Sequence, residues 1–213
     1  MLRSLEEKVD PRHAAVVVVD VQNDFCADDG AMARIGRPVA AVQAMVPLLQ
    51  RLLNDGRAAG VPVIFVQYGH TSATESEVHL EQRMRGRADM VICRQGTWGA
   101  EFYGVAPEQG ETVVQKHRYS GFIGTDLDVI LRSTGRRVLI MTGIATNGCV
   151  EATARDGFMH DYYIVLVDDC CSCFSPELHQ ATLQNIRDAY GVVTTADELS
   201  GIWARSREPV TSR

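Results

Sequence analysis

The chain lacks the features that mark several large classes of protein. Its 213 residues contain no apolar run near the roughly 20 residues that cross a bilayer, and the opening MLRSLEEKVD has no apolar segment of the signal-peptide kind. Basic residues are too few for nucleic-acid binding, because 21 Lys and Arg are outnumbered by 27 Asp and Glu, for a net charge of −6. We therefore expect a cytoplasmic protein whose partner is a small molecule, with no nucleic acid and no membrane.

A disulfide framework is not expected either, although six cysteines are present. A chain of this length with 46% hydrophobic residues can form a core without cross-links, and the cytosol keeps thiols reduced. Cys170, Cys171 and Cys173 suggest a thiolate metal site, but no second ligand pair at a zinc-site spacing accompanies them. Packing in a loop beside the pocket is the better interpretation, and we treat each cysteine as a free thiol.

β-Branched runs alternate with segments of helical spacing along the chain. This alternation predicts an α/β fold, a single domain over residues 1–213 with a doubly wound parallel sheet in a Rossmann-like three-layer α/β/α arrangement. The core is expected over about 14–198 and a polar, frayed tail over about 205–213. The predicted strands are Ala14 to Asp20, Val61 to Gln67, Thr112 to Lys116, Val138 to Thr142, Tyr162 to Asp168 and Val192 to Thr194. The predicted helices are Pro38 to Ala59, with a kink or break at Pro47, then Asp126 to Ser133, Asn147 to Met159 and Pro176 to Ala189.

Three reactive residues follow predicted strands at the edge where ligands bind in open parallel sheets. Asp20 and Lys116 each close a strand, and Cys149 follows a strand across the turn GIATNGC. With Asn147 as the expected N-cap, Cys149 would lie in the first helical turn, where the helix dipole lowers the pKa of a thiol. The alternatives are a buried cysteine that packs as a small hydrophobe and a structural Asp–Lys ion pair.

Two motifs identify the chain as similar to a known family. VDVQNDF, from Val19 to Phe25, and GIATNGCVE, from Gly143 to Glu151, resemble the isochorismatase-like cysteine hydrolases. That family holds nicotinamidases, N-carbamoylsarcosine amidohydrolase and ureidoacrylate amidohydrolases. The resemblance runs from about residue 14 to about residue 198, and the piece from QKHRYSGF to GIATNGCVEATARDGF looks most like the ureidoacrylate branch.

The resemblance implies a catalytic triad of Asp20, Lys116 and Cys149 and a cis peptide between Ile144 and Ala145. It implies that Asp20 takes the thiol proton, that the thiolate attacks a carbonyl carbon, and that the N–H groups of Ala145 and Cys149 hold the oxyanion. Ammonia then leaves and water hydrolyses the thioester. True isochorismatases lack the cysteine, so its presence favours amide or ureido substrates. Members of the family assemble as dimers or tetramers, so the resemblance also implies a homo-oligomer.

Other candidate residues surround the three motif residues. Asp24 is expected to cap or brace its loop. His70 and His79 suggest a metal, but Tyr68 stands where nicotinamidases of the family carry an acid, so we predict no metal and no cofactor. His117 could form a Cys–His dyad instead of Lys116, but neighbouring side chains in a strand point to opposite faces, and the family match selects Lys116.

Aromatic and amide side chains near these motifs are candidates to contact the substrate. Arg94 or Arg118 could bind a substrate carboxylate in bidentate fashion, although a solvated arginine is the default. The predicted substrate-binding residues are Phe25, Gln67, Trp98, Tyr119, Ser120, Phe122 and Ile144.

The sequence thus leads to several functional hypotheses. The first is an amidohydrolase that releases ammonia from a small ureido or carbamoyl compound such as ureidoacrylate or biuret. The second keeps this chemistry but takes a simple or aromatic amide such as nicotinamide or maleamate. The third is a non-catalytic member that only binds a small molecule, against which the three motif residues argue. A redox role for Cys149 is conceivable, but no resolving cysteine is evident in the sequence.

Overall fold

The computed structural model describes residues 1–86 and 91–207. Within this part of the chain, one six-stranded sheet has the order β3-β2-β1-β4-β5-β6, and every neighbouring pair is parallel. The order reverses between β1 and β4, which is the doubly wound α/β arrangement that the sequence predicts. The strands are β1 (Ala14–Val19), β2 (Val63–Tyr68), β3 (Thr112–Lys116), β4 (Val138–Ile144), β5 (Tyr163–Ser172) and β6 (Gly191–Thr194).

Helices cover both faces of this sheet. No helix among the described residues is long and apolar enough to span a membrane. The helices are α1 (Leu5–Lys8), α2 (Asn23–Cys26), α3 (Ala31–Arg34), α4 (Ala40–Ala58), α5 (Glu77–Gly86), α6 (Leu127–Ser133), α7 (Glu151–Met159), α8 (Pro176–Asn185) and α9 (Ala196–Arg207). A 3₁₀ turn forms at Trp98–Ala100, and wide helical turns form at Thr146–Val150 and Ile186–Tyr190.

The alternation of side chains along β1 explains the three layers. Val16 and Val18 pack in one core cluster with α4 and α9, whereas Ala15, Val17 and Val19 pack in the other with α6 to α8. All six residues of the strand are buried, as expected for a central strand covered on both faces. Burial of this β-branched run on both sides makes β1 a rigid base for the residue that follows it.

Several predicted boundaries need correction. Pro47 does not divide α4, which runs unbroken from Ala40 to Ala58. The fifth strand extends to Ser172, so Cys170 and Cys171 lie in a strand and not in a loop. The polar tail predicted from 205 is wrong for 205–207, because α9 extends through Arg207, and the remainder of that tail lies outside the described residues. The buried indole of Trp203, which donates to the carbonyl of Val9 at 2.9 Å, anchors α9 on the core.

Candidate active site

Asp20, Lys116 and Cys149 meet at the carboxyl edge of the sheet. The strands β1 and β3 lie on either side of β2, so the residue after β1 and the last residue of β3 are close across one strand. The Lys116 Nζ lies 2.7 Å from Asp20 Oδ2, and the two side chains are 0% and 1% exposed. The thiol of Cys149, in the wide turn after β4, interacts with both charged groups. The fold therefore brings together the three residues that the sequence places at separate strand ends.

The backbone aims the Asp20 carboxylate at this point. Asp20 has a φ of 52°, in the left-handed region that non-glycine residues seldom adopt. Its N–H donates to the carbonyl of Val66 at 2.9 Å, and its own carbonyl accepts from the N–H of Gln22 at 2.8 Å. The chain thus turns sharply at Asp20 while both of its backbone polar groups stay paired.

Lys116 is held on several sides. Besides Asp20, its ammonium donates to the carbonyl of Arg118 at 3.0 Å and lies 4.9 Å from the centre of the Tyr68 ring. Burial by itself lowers the pKa of the Lys116 ammonium, but Asp20 and Cys149 together outweigh this effect and hold that pKa above its usual value. Burial also raises the pKa of Asp20, and Lys116 offsets only part of this effect. The carboxylate is therefore a stronger base than an exposed aspartate.

The surroundings of Cys149 differ from the sequence-based expectation. Asn147 caps no helix, because the chain forms a wide turn at Thr146–Val150 and α7 begins at Glu151, after the thiol. Burial first, and then the Asp20 carboxylate, raise the pKa of the Cys149 thiol to about 12. The expected lowering of that pKa by a helix N-terminus is wrong, because the thiol is buried beside a carboxylate. The thiol is protonated at neutral pH and needs a base before it can attack.

The peptide bond between Ile144 and Ala145 is cis, as the family resemblance implies.

A chain of hydrogen bonds connects the wide turn to two other elements. The buried Thr146 hydroxyl lies 2.9 Å from His179 Nδ1, and His179 Nε2 lies 2.8 Å from Asp168 Oδ1. This chain ties the turn to α8 and β5, so the position of Cys149 depends on two further elements.

The side chains of the three residues after Val21 form hydrogen bonds with the backbone of neighbouring segments. Gln22 donates to the carbonyls of Tyr68 and Ala100 at 2.8 and 2.7 Å. Asn23 donates to the carbonyl of Trp98 at 2.8 Å. Asp24, next to them, accepts from the N–H groups of Ala31 and Cys93 at 3.1 and 2.6 Å, which confirms its bracing role.

A cavity of about 420 Å³ opens beside Cys149. Its walls are mainly apolar and aromatic, with a small set of polar groups, which is the composition typical of small-molecule sites. Ala145 and Cys149 both contribute to the wall, as expected if their N–H groups face a ligand. The described residues that line it are Phe25, Met32, Ile35, Arg37, Tyr68, His79, Gln82, Ile92, Tyr119, Ala145, Asn147, Gly148, Cys149 and Phe174.

Of the predicted substrate-binding residues, Phe25 and Tyr119 line this cavity. The other five do not, and four of these, Gln67, Ser120, Phe122 and Ile144, make their contacts elsewhere in the fold. Gln67 lies in a separate small depression, where its amide donates to the carbonyl of Ala100 at 2.8 Å. Ile144 is fully buried in the core, and the Ser120 hydroxyl accepts from the N–H of Phe122 at 3.2 Å.

The two remaining predicted wall residues are aromatic. Phe122 stacks on His160 with ring centres 5.1 Å apart and packs in the core cluster of α6 to α8. Trp98 is 47% exposed and does not contribute to the cavity wall. An aromatic side chain near a motif is thus a weak sign of substrate contact, because the same chemistry suits the core.

The histidines have separate places in the structure. His117 Nδ1 lies 2.5 Å from the carbonyl oxygen of Gly69, so this nitrogen faces the backbone of the neighbouring loop. His70 lies 3.3 Å from Glu75, and His79 packs against Tyr119 in the cavity wall. Among the described residues, no three His, Cys, Asp or Glu side chains are arranged to hold a metal ion.

Several residues that line the cavity were not predicted from the sequence to contact a substrate. Arg37, Asn147, Tyr68 and Phe174 belong to segments that meet only in the folded chain. The sequence marks Tyr68 only as the residue in place of a metal-binding acid, and Asn147 only as a helix cap. Neither periodicity nor motif spacing marks a residue that faces a cavity from a loop, so no signal in one sequence would have found Arg37.

The chain is similar to known proteins over most of its length. The family model described as the isochorismatase domain matches residues 14–198. Ureidoacrylate amidohydrolase RutB of Enterobacter sp. (strain 638) is 37% identical over 199 residues, which cover 87% of this chain and 86% of that protein. A cysteine hydrolase from Pseudomonas syringae pv. phaseolicola 1448A superimposes with a TM-score of 0.83 at 26% identity, with 97% and 98% of the two chains covered.

A third similar protein is the N-carbamoylsarcosine amidase from Thermoplasma acidophilum. Its structure matches with a TM-score of 0.70 at 28% identity, over 87% of this chain and 97% of that one. The names of two of these three proteins denote hydrolysis of a ureido or carbamoyl group.

Proposed function

Because the chain belongs to the isochorismatase family, we propose that it is a cysteine-dependent amidohydrolase that releases ammonia from a small ureido or carbamoyl compound. As a member of that family with amidohydrolase relatives, it is a hydrolase of amide carbon–nitrogen bonds. The observation that carries the finer proposal is the buried Asp20–Lys116 pair in contact with the Cys149 thiol at the cavity wall.

The proposed reaction begins with a proton transfer. The pKa of the thiol is about 12, so Asp20 takes its proton as the sulfur forms a bond to the carbonyl carbon of the substrate. The raised pKa of Asp20 makes it a better acceptor for this proton, and Lys116 keeps positive charge beside the carboxylate. In this proposal the N–H groups of Ala145 and Cys149 stabilise the oxyanion.

The second half of the reaction reverses these roles. The carbon–nitrogen bond breaks, Asp20 gives its proton to the leaving nitrogen, and ammonia departs from a thioester on Cys149. Water then attacks the thioester carbon while Asp20 takes a proton from the water. This proton returns to the sulfur as the carbon–sulfur bond breaks, which restores the thiol and releases the acyl group of a ureido substrate as a carbamic acid.

The names of similar proteins support the proposed substrate class. The named substrates of the ureidoacrylate and N-carbamoylsarcosine enzymes share a carbonyl flanked by nitrogen.

A thiol nucleophile stays active in a reducing compartment, so we propose that the enzyme works in the cytoplasm. We also propose that it forms a dimer or tetramer, as the family resemblance implies.

An ammonia-release screen tests the proposal. The substrates in the screen are ureidoacrylate, 3-ureidopropionate, biuret, nicotinamide and maleamate. Each is tested with the parent enzyme, with Cys149→Ala and with the matched control Cys170→Ala, which removes another buried thiol. We expect ammonia from at least one ureido compound, a loss of about a thousandfold or more in Cys149→Ala, and retained activity in the control. Mass spectrometry after rapid quenching should find an acyl adduct on Cys149.

Three results would contradict the proposal, one of them the substrate class and two of them the mechanism. Much faster turnover of nicotinamide than of every ureido compound would show that the substrate class is wrong. Equal activity of Cys149→Ala and the parent, or no ammonia from any compound, would show that the cysteine mechanism is wrong.

A further inference from the structure

One cation in the cavity wall has no place in the proposed mechanism. Arg37 lines the same cavity as Cys149, and it is exposed to solvent. Among the side chains that the structure describes, it is the only Lys or Arg in the wall, and no Asp or Glu lines the cavity. No described carboxylate lies within ion-pair distance of its guanidinium.

The backbone holds Arg37 in a defined position. Gly36, with a φ of 80°, lets the chain leave the end of α3 in a left-handed turn. The N–H of Gly36 donates to the carbonyl of Ala33 at 2.8 Å, and that of Arg37 donates to the carbonyl of Met32 at 3.0 Å. Met32 and Ile35 also line the cavity, so the turn presents one charged and two apolar side chains to the same space.

Among the described side chains, the other candidate cations near the site are bound to other groups or lie outside the cavity wall. Lys116 is completely buried and paired with Asp20. It could bind a substrate carboxylate only if the Asp20 carboxylate were left buried without a partner. The Arg118 guanidinium donates to the carbonyls of Thr74 and His117 at 3.1 and 2.7 Å. Neither Arg118 nor Arg94, the two arginines that the sequence suggested for this role, lines the cavity.

We propose that Arg37 binds a carboxylate at the end of the substrate away from the scissile bond, which makes the substrates ureido or carbamoyl acids. This inference rests on the proposed function for the other end of the substrate, where the carbonyl meets Cys149. A guanidinium can form two parallel hydrogen bonds to one carboxylate, so it orients the substrate as well as attracts it. Neutral ureides and aromatic amides would lack this contact.

A binding experiment separates this inference from the reaction itself. Calorimetry on the Cys149→Ala protein measures the affinity for 3-ureidopropionate and for its neutral methyl ester. We expect the acid to bind at least about tenfold more tightly than the ester, as for a charge-assisted hydrogen-bonded pair. Adding Arg37→Ala should abolish that difference, and Arg37→Lys should restore part of it.

A matched control is Arg34→Ala, which removes the same charge from the same segment at a residue outside the cavity wall and should keep the preference for the acid. Arg37→Glu should reverse the preference, so that 3-ureidopropylamine binds more tightly than 3-ureidopropionate. Equal binding of acid and ester before Arg37 is changed, equal weakening of both by Arg37→Ala, or no binding of either would overturn the inference.

Failure of the proposed function gives a different signature. In that case the enzyme with Cys149 intact releases no ammonia from any ureido compound, while the calorimetric comparison still decides whether Arg37 binds the carboxylate.

Discussion

At the scale of the residue, the site depends on a pair of opposite charges, neither of which could be buried at low cost without the other. An unpaired carboxylate or ammonium is costly to bury, and the 2.7 Å contact between Lys116 and Asp20 offsets much of that cost. Burial first, and then the Asp20 carboxylate, keep the Cys149 thiol protonated, and the same carboxylate is the group proposed to accept its proton. Stability and chemistry therefore rest on the same two side chains.

Removal of the Lys116 side chain should lower both the stability and the activity of the protein. We expect Lys116→Ala to lower kcat/KM for ammonia release by more than about a hundredfold and the free energy of unfolding by roughly 3 kcal/mol, because the Asp20 carboxylate is left buried without a partner. His117→Ala, the matched control, removes the adjacent side chain, whose Nδ1 faces the carbonyl of Gly69. Steady-state kinetics and urea denaturation measure the two effects, and a greater kinetic loss in His117→Ala would favour a Cys–His dyad.

At the scale of the element, β4 and the wide turn after it decide where the nucleophile lies. Gly143 has a φ of 112°, and a Cβ there would lie 2.1 Å from the carbonyl oxygen of Val19, the residue before Asp20. The pairing of β4 with β5 is also irregular between Met141 and Gly143. The close approach of two strand ends thus requires glycine at the point where the chain turns toward Cys149.

Gly143→Ala should therefore be strongly destabilising. We expect a loss of more than about 2 kcal/mol in the free energy of unfolding, because backbone atoms of β1 must move away from the added methyl group. Gly60→Ala is the matched control, since Gly60 also has a positive φ of 80° but nothing lies within 4 Å of its Cβ position. Denaturant unfolding compares the two, and equal losses would mean that the strand contact carries no cost.

The hydrogen-bond chain from Thr146 through His179 to Asp168 predicts a further effect on this turn. We expect His179→Ala to lower kcat by about tenfold or more with little change in KM, because a looser turn displaces the sulfur and the adjacent N–H groups. Gln184→Ala changes an exposed residue of the same helix and should leave kcat unchanged. Steady-state kinetics decides, and an unaltered kcat in His179→Ala would show that the turn holds its position without the chain.

At the scale of the whole molecule, the core buries thiols that ionise only with difficulty. Burial raises the pKa of Cys26 to about 12, and it raises the pKa values of Cys93, Cys170 and Cys171 above their ordinary range as well. Together with Cys149, these residues keep their protons in the folded chain at pH values where the unfolded chain releases them. The folded state therefore binds more protons than the unfolded state above a pH of about 9.

This difference predicts that the protein loses stability in alkali. The contribution of each buried thiol is fully present below its unfolded pKa of 9.0 and is lost as the pH rises toward about 12 for Cys26 and Cys149. Between pH 8 and pH 10 each thiol should lower the free energy of unfolding by about 1 kcal/mol. Urea titrations at several pH values measure the slope, which Cys26→Ala should make shallower, whereas a flat or rising profile would disprove the linkage.

The sequence by itself determined the layer structure and the residues at the strand ends. Runs such as the one in β1 are buried on both faces wherever they fold, and parallel strands need crossover helices, so the doubly wound sheet followed from local patterns. The motifs around Asp20, Lys116 and Cys149 pointed to the family, which the comparisons confirmed. These properties depend on neighbours along the chain, and a sequence records such neighbours directly.

Only the tertiary structure decided what surrounds those residues. The cavity wall is formed by loops and strand ends distant in sequence, which is why the sequence did not mark Arg37. Five residues predicted to bind substrate, Gln67, Trp98, Ser120, Phe122 and Ile144, do not line this cavity for the same reason. The pKa of Cys149 was predicted in the wrong direction for the same reason, since it depends on burial and on a carboxylate from another strand. Electrostatic energies depend on distances through space, and those distances exist only after the chain has folded.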